Sequence, residues 1–190
     1  MTPVDLLAGL PPIDLENFTL RGIPLADVLR AIEMIDREET ASVLFREAHF
    51  GGGISQSLTG AIEEYERHHP PPWGAYSRSD GLLAGICSIL EWNIRHSAVE
   101  ILPLLFPRYR TATNGVEIVR GMADFAFRCI EANRVWLPCD PADAFTSAAA
   151  AGAGLGPEAH LEEYLRIGDG YHDITIFTMT RDEWAPSSAE

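Results

Sequence analysis

The chain has 190 residues, a length that one hydrophobic core of about 100 to 200 residues serves. Its 46% hydrophobic and 22% charged content is that of an ordinary folded protein and excludes a disordered or collagen-like chain. Against 28 acidic residues stand 14 basic ones, all arginine, for a net charge of −14, so the surface repels nucleic-acid phosphates and would attract a cationic substrate such as an amine.

No apolar run reaches the roughly 18 to 20 residues of a membrane span, and the opening MTPVDLLAGLPPIDLE lacks the positive region of a signal peptide. A cytoplasmic location without membrane attachment is the expectation. Cys87, Cys129 and Cys139 form no CxxC pair, which points to three reduced thiols rather than a disulfide framework or zinc knuckle. His68 and His69 stand at no metal spacing with a carboxylate motif, and no metal is expected.

Residues 1–16, with Pro3, Pro11 and Pro12, read as an extended lead-in to a first strand over about 18–23. Val28, Leu29, Ile32 and Ile35 share one helical face and predict a helix over 27–42. Glycines 51 to 53 interrupt it, and Leu58, Ile62 and Tyr65 predict a second helix over 54–69 that Pro70, Pro71 and Pro72 end. A strand over 73–77, a turn at Arg78-Ser79-Asp80-Gly81 and a strand over 82–92 follow as a hairpin, then a strand over 98–105.

Ile118, Met122, Phe125 and Cys129 predict a helix from Gly115 to about Ala132, followed by a strand over 134–139. The alanine-rich 142–151 favours a helix that Gly152 and Gly154 can end. A hairpin closes the chain, 161–167 and 173–180 around a turn at 168–170. Seven strands and four helices without internal repeat make a mixed α/β sandwich.

The run Glu100-Ile-Leu-Pro-Leu-Leu-Phe-Pro-Arg-Tyr-Arg-Thr-Ala-Thr-Asn-Gly115 is a strand, a polar loop and a helix start. Free N–H groups and the helix dipole at such a start attract a phosphate, Arg108 and Arg110 add charge, and Thr111, Thr113 and Asn114 add hydrogen bonds. By itself this pattern recurs throughout α/β proteins.

From Trp73 to Trp184, four blocks resemble the GCN5-related N-acetyltransferase (GNAT) superfamily, and within it the branch that acetylates ribosomal-protein N-termini. They are Ala98-Val-Glu-Ile through Pro107-Arg-Tyr-Arg110; Arg134-Val-Trp-Leu-Pro-Cys-Asp-Pro141; Gly154-Leu155 with Glu158 and His160-Leu-Glu-Glu-Tyr-Leu-Arg166; and Gly170-Tyr-His-Asp-Ile through Arg181-Asp-Glu-Trp184. The resemblance implies a seven-stranded, mostly antiparallel sheet with splayed fourth and fifth strands, flanked by about four helices. It also implies an N-terminal extension over 1–16, one acyltransferase domain over 17–185 and a tail over 186–190.

It further implies an acetyl-CoA or other acyl-CoA donor whose pantetheine arm lies along Leu104, Leu105 and Phe106. Its pyrophosphate would meet Arg108, Arg110, Thr111, Ala112, Thr113, Asn114 and Gly115, although Thr111 and Thr113 stand where the family commonly has glycine. Two explanations stay open: a threonine loop that still cradles pyrophosphate, or a donor without adenosine diphosphate, either an acyl carrier protein thioester or an aminoacyl-tRNA. The charge of −14 argues against tRNA.

Asp143 stands where the family usually has an Asn that bonds the pantetheine, and Thr146 or Ser147 takes the place of the acid that protonates the leaving thiolate. Glu100 is the first candidate base. Trp73, Trp92, His172 and Asp173, with Glu63, Glu64 and Glu91, are candidates on the side of the acceptor, a small-molecule or peptide amine. The substituted positions also fit a non-catalytic member that binds acyl-CoA or a partner protein. Monomer and homodimer are both open.

Overall fold

The structure, a computed structural model, describes residues 9–23, 27, 72–167 and 169–184. The helices expected over 27–42 and 54–69, with Glu63, Glu64, His68 and His69, lie outside the described residues apart from Asp27. The strands are β1 (Ile13–Asp14), β2 (Phe18–Gly22), β3 (Trp73–Ser77), β4 (Leu83–Asn93), β5 (Ala98–Leu105), β6 (Arg134–Cys139), β7 (Gly156–Ile167) and β8 (Gly170–Thr180). The described helices are α1 (Ala112–Cys129) and α2 (Ala144–Gly152), with a 3-10 turn at Pro107–Tyr109.

The strands form one sheet in the order β1-β2-β3-β4-β5-β6-β8-β7. It has eight strands where seven were expected, because the lead-in turns back: Ile13 pairs with Leu20 and Asp14 with Thr19. The chain divides into two compact units, residues 1–90 with 102–110, and residues 91–101 with 111–190.

In the first unit, β2, β3 and β4 pair antiparallel around Phe18, Leu20, Trp73, Ala75 and Ile86, each at most 1% exposed. Gly85 lets β5 come close: a Cβ there would stand 2.2 Å from the Leu104 carbonyl oxygen, so no other residue fits without moving the backbone.

In the second unit, β6 pairs antiparallel with β8, and β8 with β7. β5 runs parallel to β6 only from Ala98–Arg134 to Glu100–Trp136, where the ladder stops although β5 continues to Leu105 and β6 to Cys139. That short ladder is the splay expected of the fourth and fifth family strands. Ile118, Met122 and Phe125 lie buried on α1, as their spacing predicts.

The closing Arg-Asp-Glu-Trp is a clasp. Arg181 donates to the carbonyls of Ala132 (3.0 Å) and Phe127 (2.7 Å), and the Trp184 indole donates to Asp124 and stacks on Phe127. These bonds take up carbonyls beyond and near the end of α1, where helical acceptors run out.

Both described helices begin off their expected positions, and capping explains each. α1 starts at Ala112 rather than Gly115 because the Thr111 hydroxyl accepts the Asn114 N–H. α2 starts at Ala144 rather than residue 142 because Asp143 caps it. β7 begins at Gly156 and β8 at Gly170, longer than the expected 161–167 and 173–180. β7 is an edge strand with a bulge between Leu161 and Leu165, where Glu163 takes φ 48° and donates its N–H to Asp173.

Candidate functional site

In the second unit the chemistry gathers at two helix starts. Thr111 has extended geometry (φ −109°, ψ 152°); its Oγ1 accepts the Asn114 N–H at 3.2 Å, and its carbonyl accepts the Gly115 N–H at 2.9 Å. Ala112 and Thr113 are exposed, their N–H groups meet no acceptor among the described residues, and no acidic residue occupies the first turn. A neutral cap with two spare donors suits an anion. Gly115 is buried for another reason: a Cβ there would stand 2.8 Å from Ala149 Cβ and 2.9 Å from Phe145 Cζ, so it admits α2.

At the start of α2 the cap is itself an anion. The Asp143 carboxylate accepts from the Thr146 N–H at 3.2 Å and the Thr146 hydroxyl at 2.6 Å. The hydroxyl proton of Thr146, at 8% exposure, is thus spent inside the cap. Ser147 Oγ stands 3.1 Å from the thiol of buried Cys139, which also reaches the carbonyls of Asp140 and Asp143.

Asp140, 4% exposed, accepts the Ala142 N–H at 2.6 Å through Oδ1. Its Oδ2 has no hydrogen bond among the described residues and faces Nδ1 of His172 at 3.4 Å. Asp143, Thr146, Ser147 and His172 therefore meet around the turn at 140–143. Asp173 points elsewhere: it pairs with His160 at 3.2 Å and holds the Glu163 N–H at 2.9 Å.

Glu100 is not among them. It lies opposite Trp136 in the parallel ladder, four residues and roughly 13 Å along the strand from Asp140. Burial, and then the nearby charge of Glu91, push its carboxyl up to about 8, and it has no hydrogen-bond or ion-pair partner among the described residues. Trp92 is half-buried near the end of β4.

In the first unit, Leu104, Leu105 and Phe106 are buried. The Tyr109 hydroxyl donates to Asp80 at 3.0 Å, and Arg108 pairs with the same carboxylate at 3.1 Å. The Leu82 amide above all, then the Tyr109 and Ser77 hydroxyls and Arg108, holds the Asp80 carboxyl below its usual range. Arg108 is thus not a spare charge, and Arg110 is half-buried and engaged. Trp73 is wholly buried and its indole N–H donates to the Pro11 carbonyl at 2.9 Å, a core role that corrects its assignment to an acceptor surface.

Sequence reasoning passed over Asp140 and Asp80. The Asp-Pro exit from β6 marks the first and the turn before β4 the second, but their partners are far apart in sequence. Among the described residues no three His, Cys, Asp or Glu side chains converge as metal ligands, and no helix is long and apolar enough to cross a membrane.

No protein-family model and no curated protein sequence matches the chain. Solved structures do. A GNAT-family acetyltransferase from Bacillus anthracis matches with a TM-score of 0.70 at 13% identity, covering 90% of this chain and 99% of its own. The spermidine N-acetyltransferase of Vibrio cholerae, solved with CoA and spermine, matches with a TM-score of 0.70 at 15% identity over 88% of this chain and 97% of its own. A Vibrio cholerae protein provisionally assigned as a ribosomal-protein-serine acetyltransferase gives 0.67 at 18% identity over 90% and 97%.

Proposed function

The chain has the GNAT fold, and we propose that it is an N-acyltransferase that moves an acetyl or other small acyl group from acyl-CoA to the amine of a small molecule or peptide. The start of α1 carries this reading: a neutral threonine cap, no acid in the first turn and two exposed N–H groups just beyond a strand whose parallel ladder stops after three pairs. A bound acyl-CoA supplies an acyl group activated as a thioester. The Ala112 and Thr113 amides and the Thr111 and Thr113 hydroxyls, all of the second unit, hold its pyrophosphate.

In this reading the leaving sulfur takes its hydrogen bond from Ser147, since Thr146 spends its hydroxyl proton on Asp143. Asp143 is spent on its cap and contributes acceptance only. Glu100, protonated for the most part at neutral pH, loses its proton as pH rises past about 8 and can serve as a base only above that. Trp92 and His172 line the acceptor side. The net charge of −14 favours a cationic acceptor, and spermidine, the amine named for one of the structural neighbours, is a suitable first probe.

A carrier-protein thioester is the second reading, favoured by the engagement of Arg108 with Asp80, which leaves less charge for pyrophosphate. The test is incubation of the purified protein with acetyl-CoA and a panel of spermidine and peptides with free N-termini, read by mass spectrometry. The chain has no lysine, so an acetylated lysine or polyamine is a substrate signal. One acetyl group gained by an amine is the expected result; release of free CoA without any acylated amine, or no reaction at all, contradicts the reading.

A further inference from the structure

Asp140 ends β6 in an unusual position for a carboxylate. It is 4% exposed, yet among the described residues only one of its oxygens is hydrogen-bonded, to the Ala142 amide. Leaving a buried carboxylate oxygen unpaired is costly, and such an oxygen calls for a donor. The group that faces it is Nδ1 of His172, 3.4 Å away, on the first turn of residues of β8. His172 keeps 39% of its side-chain surface exposed. The 3.4 Å approach is an ion-pair distance rather than a hydrogen bond; a small rotation of the imidazole turns an Nδ1–H onto the bare Oδ2 and leaves the Nε2 lone pair for a substrate proton. A base oriented by a buried carboxylate is the arrangement that proton abstraction requires.

We infer that His172, held by Asp140, takes the proton from the acceptor amine at neutral pH; the inference rests on the acyl-transfer reading. The acceptor arrives as an ammonium. Nε2 of His172 takes one proton, giving a free amine and an imidazolium whose charge Asp140 balances. The nitrogen lone pair forms the C–N bond at the thioester carbonyl, the C–S bond breaks, a second N–H proton passes to the thiolate, and the imidazolium returns its proton to solvent. Ammonium and thioester become amide, thiol and one released proton, with nothing oxidised or reduced.

Among the described residues, Asp140 is the charged group that faces His172. From β7 its cross-strand partner is Leu165; Arg166 pairs with Tyr171, on the opposite face. Glu163 lies in the β7 bulge and spends its N–H on Asp173, whose carboxylate is also taken by His160. From α2, Asp143 is occupied by Thr146. Glu100 lies across from Trp136, four residues before Asp140, and has no hydrogen-bond or ion-pair partner among the described residues.

The test uses the full chain and the variants His172→Gln and Asp140→Asn, the latter keeping an oxygen for the Ala142 amide. Nitrogen-15 NMR without substrate is expected to show the His172 ring proton on Nδ1 in the wild type and redistributed toward Nε2 in D140N. With acetyl-CoA and spermidine, or whichever panel amine is acylated, H172Q is expected to lower kcat/KM about a hundredfold at pH 7 and to abolish the acidic limb of its pH profile, with KM for acetyl-CoA unchanged. D140N is expected to lower it about tenfold and to move that limb.

Wild-type kinetics in H172Q, or a limb that stays in place, overturns the inference while transfer by the wild type keeps the function. An Nε2–H tautomer in the wild type, or a tautomer ratio indifferent to D140N, also overturns it. Failure of the wild type to acylate any amine overturns the function itself, and the inference falls with it.

Discussion

The second unit contains two helix starts that are nearly neighbours and chemically opposite. α1 opens with a neutral Thr111 cap and two exposed amides that nothing among the described residues accepts; α2 opens with Asp143, whose carboxylate already fills the positive end of its helix. The helix dipole is the same in kind at both, so the cap decides what can bind: an outside anion at α1, nothing negative at α2. Gly115 and Gly152 bring the two together, since side-chain carbons at these positions would collide with Ala149, Phe145 and Val116.

Four variants break or sharpen this contrast. A carboxylate outside both caps gives the largest effect, because Glu100 is half-buried and largely desolvated, with neither a cap nor a cation among the described residues. Its folded value of about 8 exceeds the ordinary 4.5, so between those values the folded chain binds the extra proton and stability falls as pH rises, then levels. Glu100→Gln is expected to remove that fall, a gain on the order of a few kcal/mol by pH 9 relative to pH 4. Denaturant midpoints across pH read it, and parallel curves for the two proteins would contradict it.

Gly115→Val is expected to force α1 from α2 and cost about 1–3 kcal/mol, seen as a lower thermal midpoint. An unchanged midpoint would show that the two starts are not held by close packing. Thr111→Asp converts the first cap into the second: the fold should keep its stability, while affinity for acetyl-CoA drops by at least about tenfold as a carboxylate meets the pyrophosphate. Equal affinity would separate the donor from α1. The smallest effect is expected of Asp143→Ala, a loss of about 1 kcal/mol of stability without a change in CoA affinity, checked by denaturation and calorimetry together.

Much of the frame could be read from residues alone. β3, β5 and β6 fall where prolines, turn residues and apolar runs bound them, and the spacing of Ile118, Met122 and Phe125 located the buried face of α1. The helix starts were missed because the Thr-x-x-Asn cap of α1 was read as loop and the Asp-x-x-Thr cap of α2 as the body of its helix. β1 is too short to show periodicity, and β7 carries Glu158, Glu162 and Glu163 on an edge, which hides its alternation.

Of the candidates that the family resemblance implied, Asp143, Thr146, Ser147 and His172 come together around the turn at 140–143 and Glu100 does not. What they touch was not legible in the sequence. That Asp140 is buried with one bare oxygen, that Thr146 spends its proton on Asp143, and that Arg108 answers to Asp80 all depend on pairings between separate segments, which composition and spacing do not encode.

The most direct measurement is a calorimetric titration of the intact chain with acetyl-CoA, with desulfo-CoA as the control ligand. The account predicts one equivalent bound with micromolar affinity, a comparable response to desulfo-CoA because the pyrophosphate carries the contact, and weaker binding of both by Thr111→Asp. No binding of either ligand, or binding that Thr111→Asp leaves intact, would contradict an anion site at the start of α1 and the acyl-CoA chemistry built upon it.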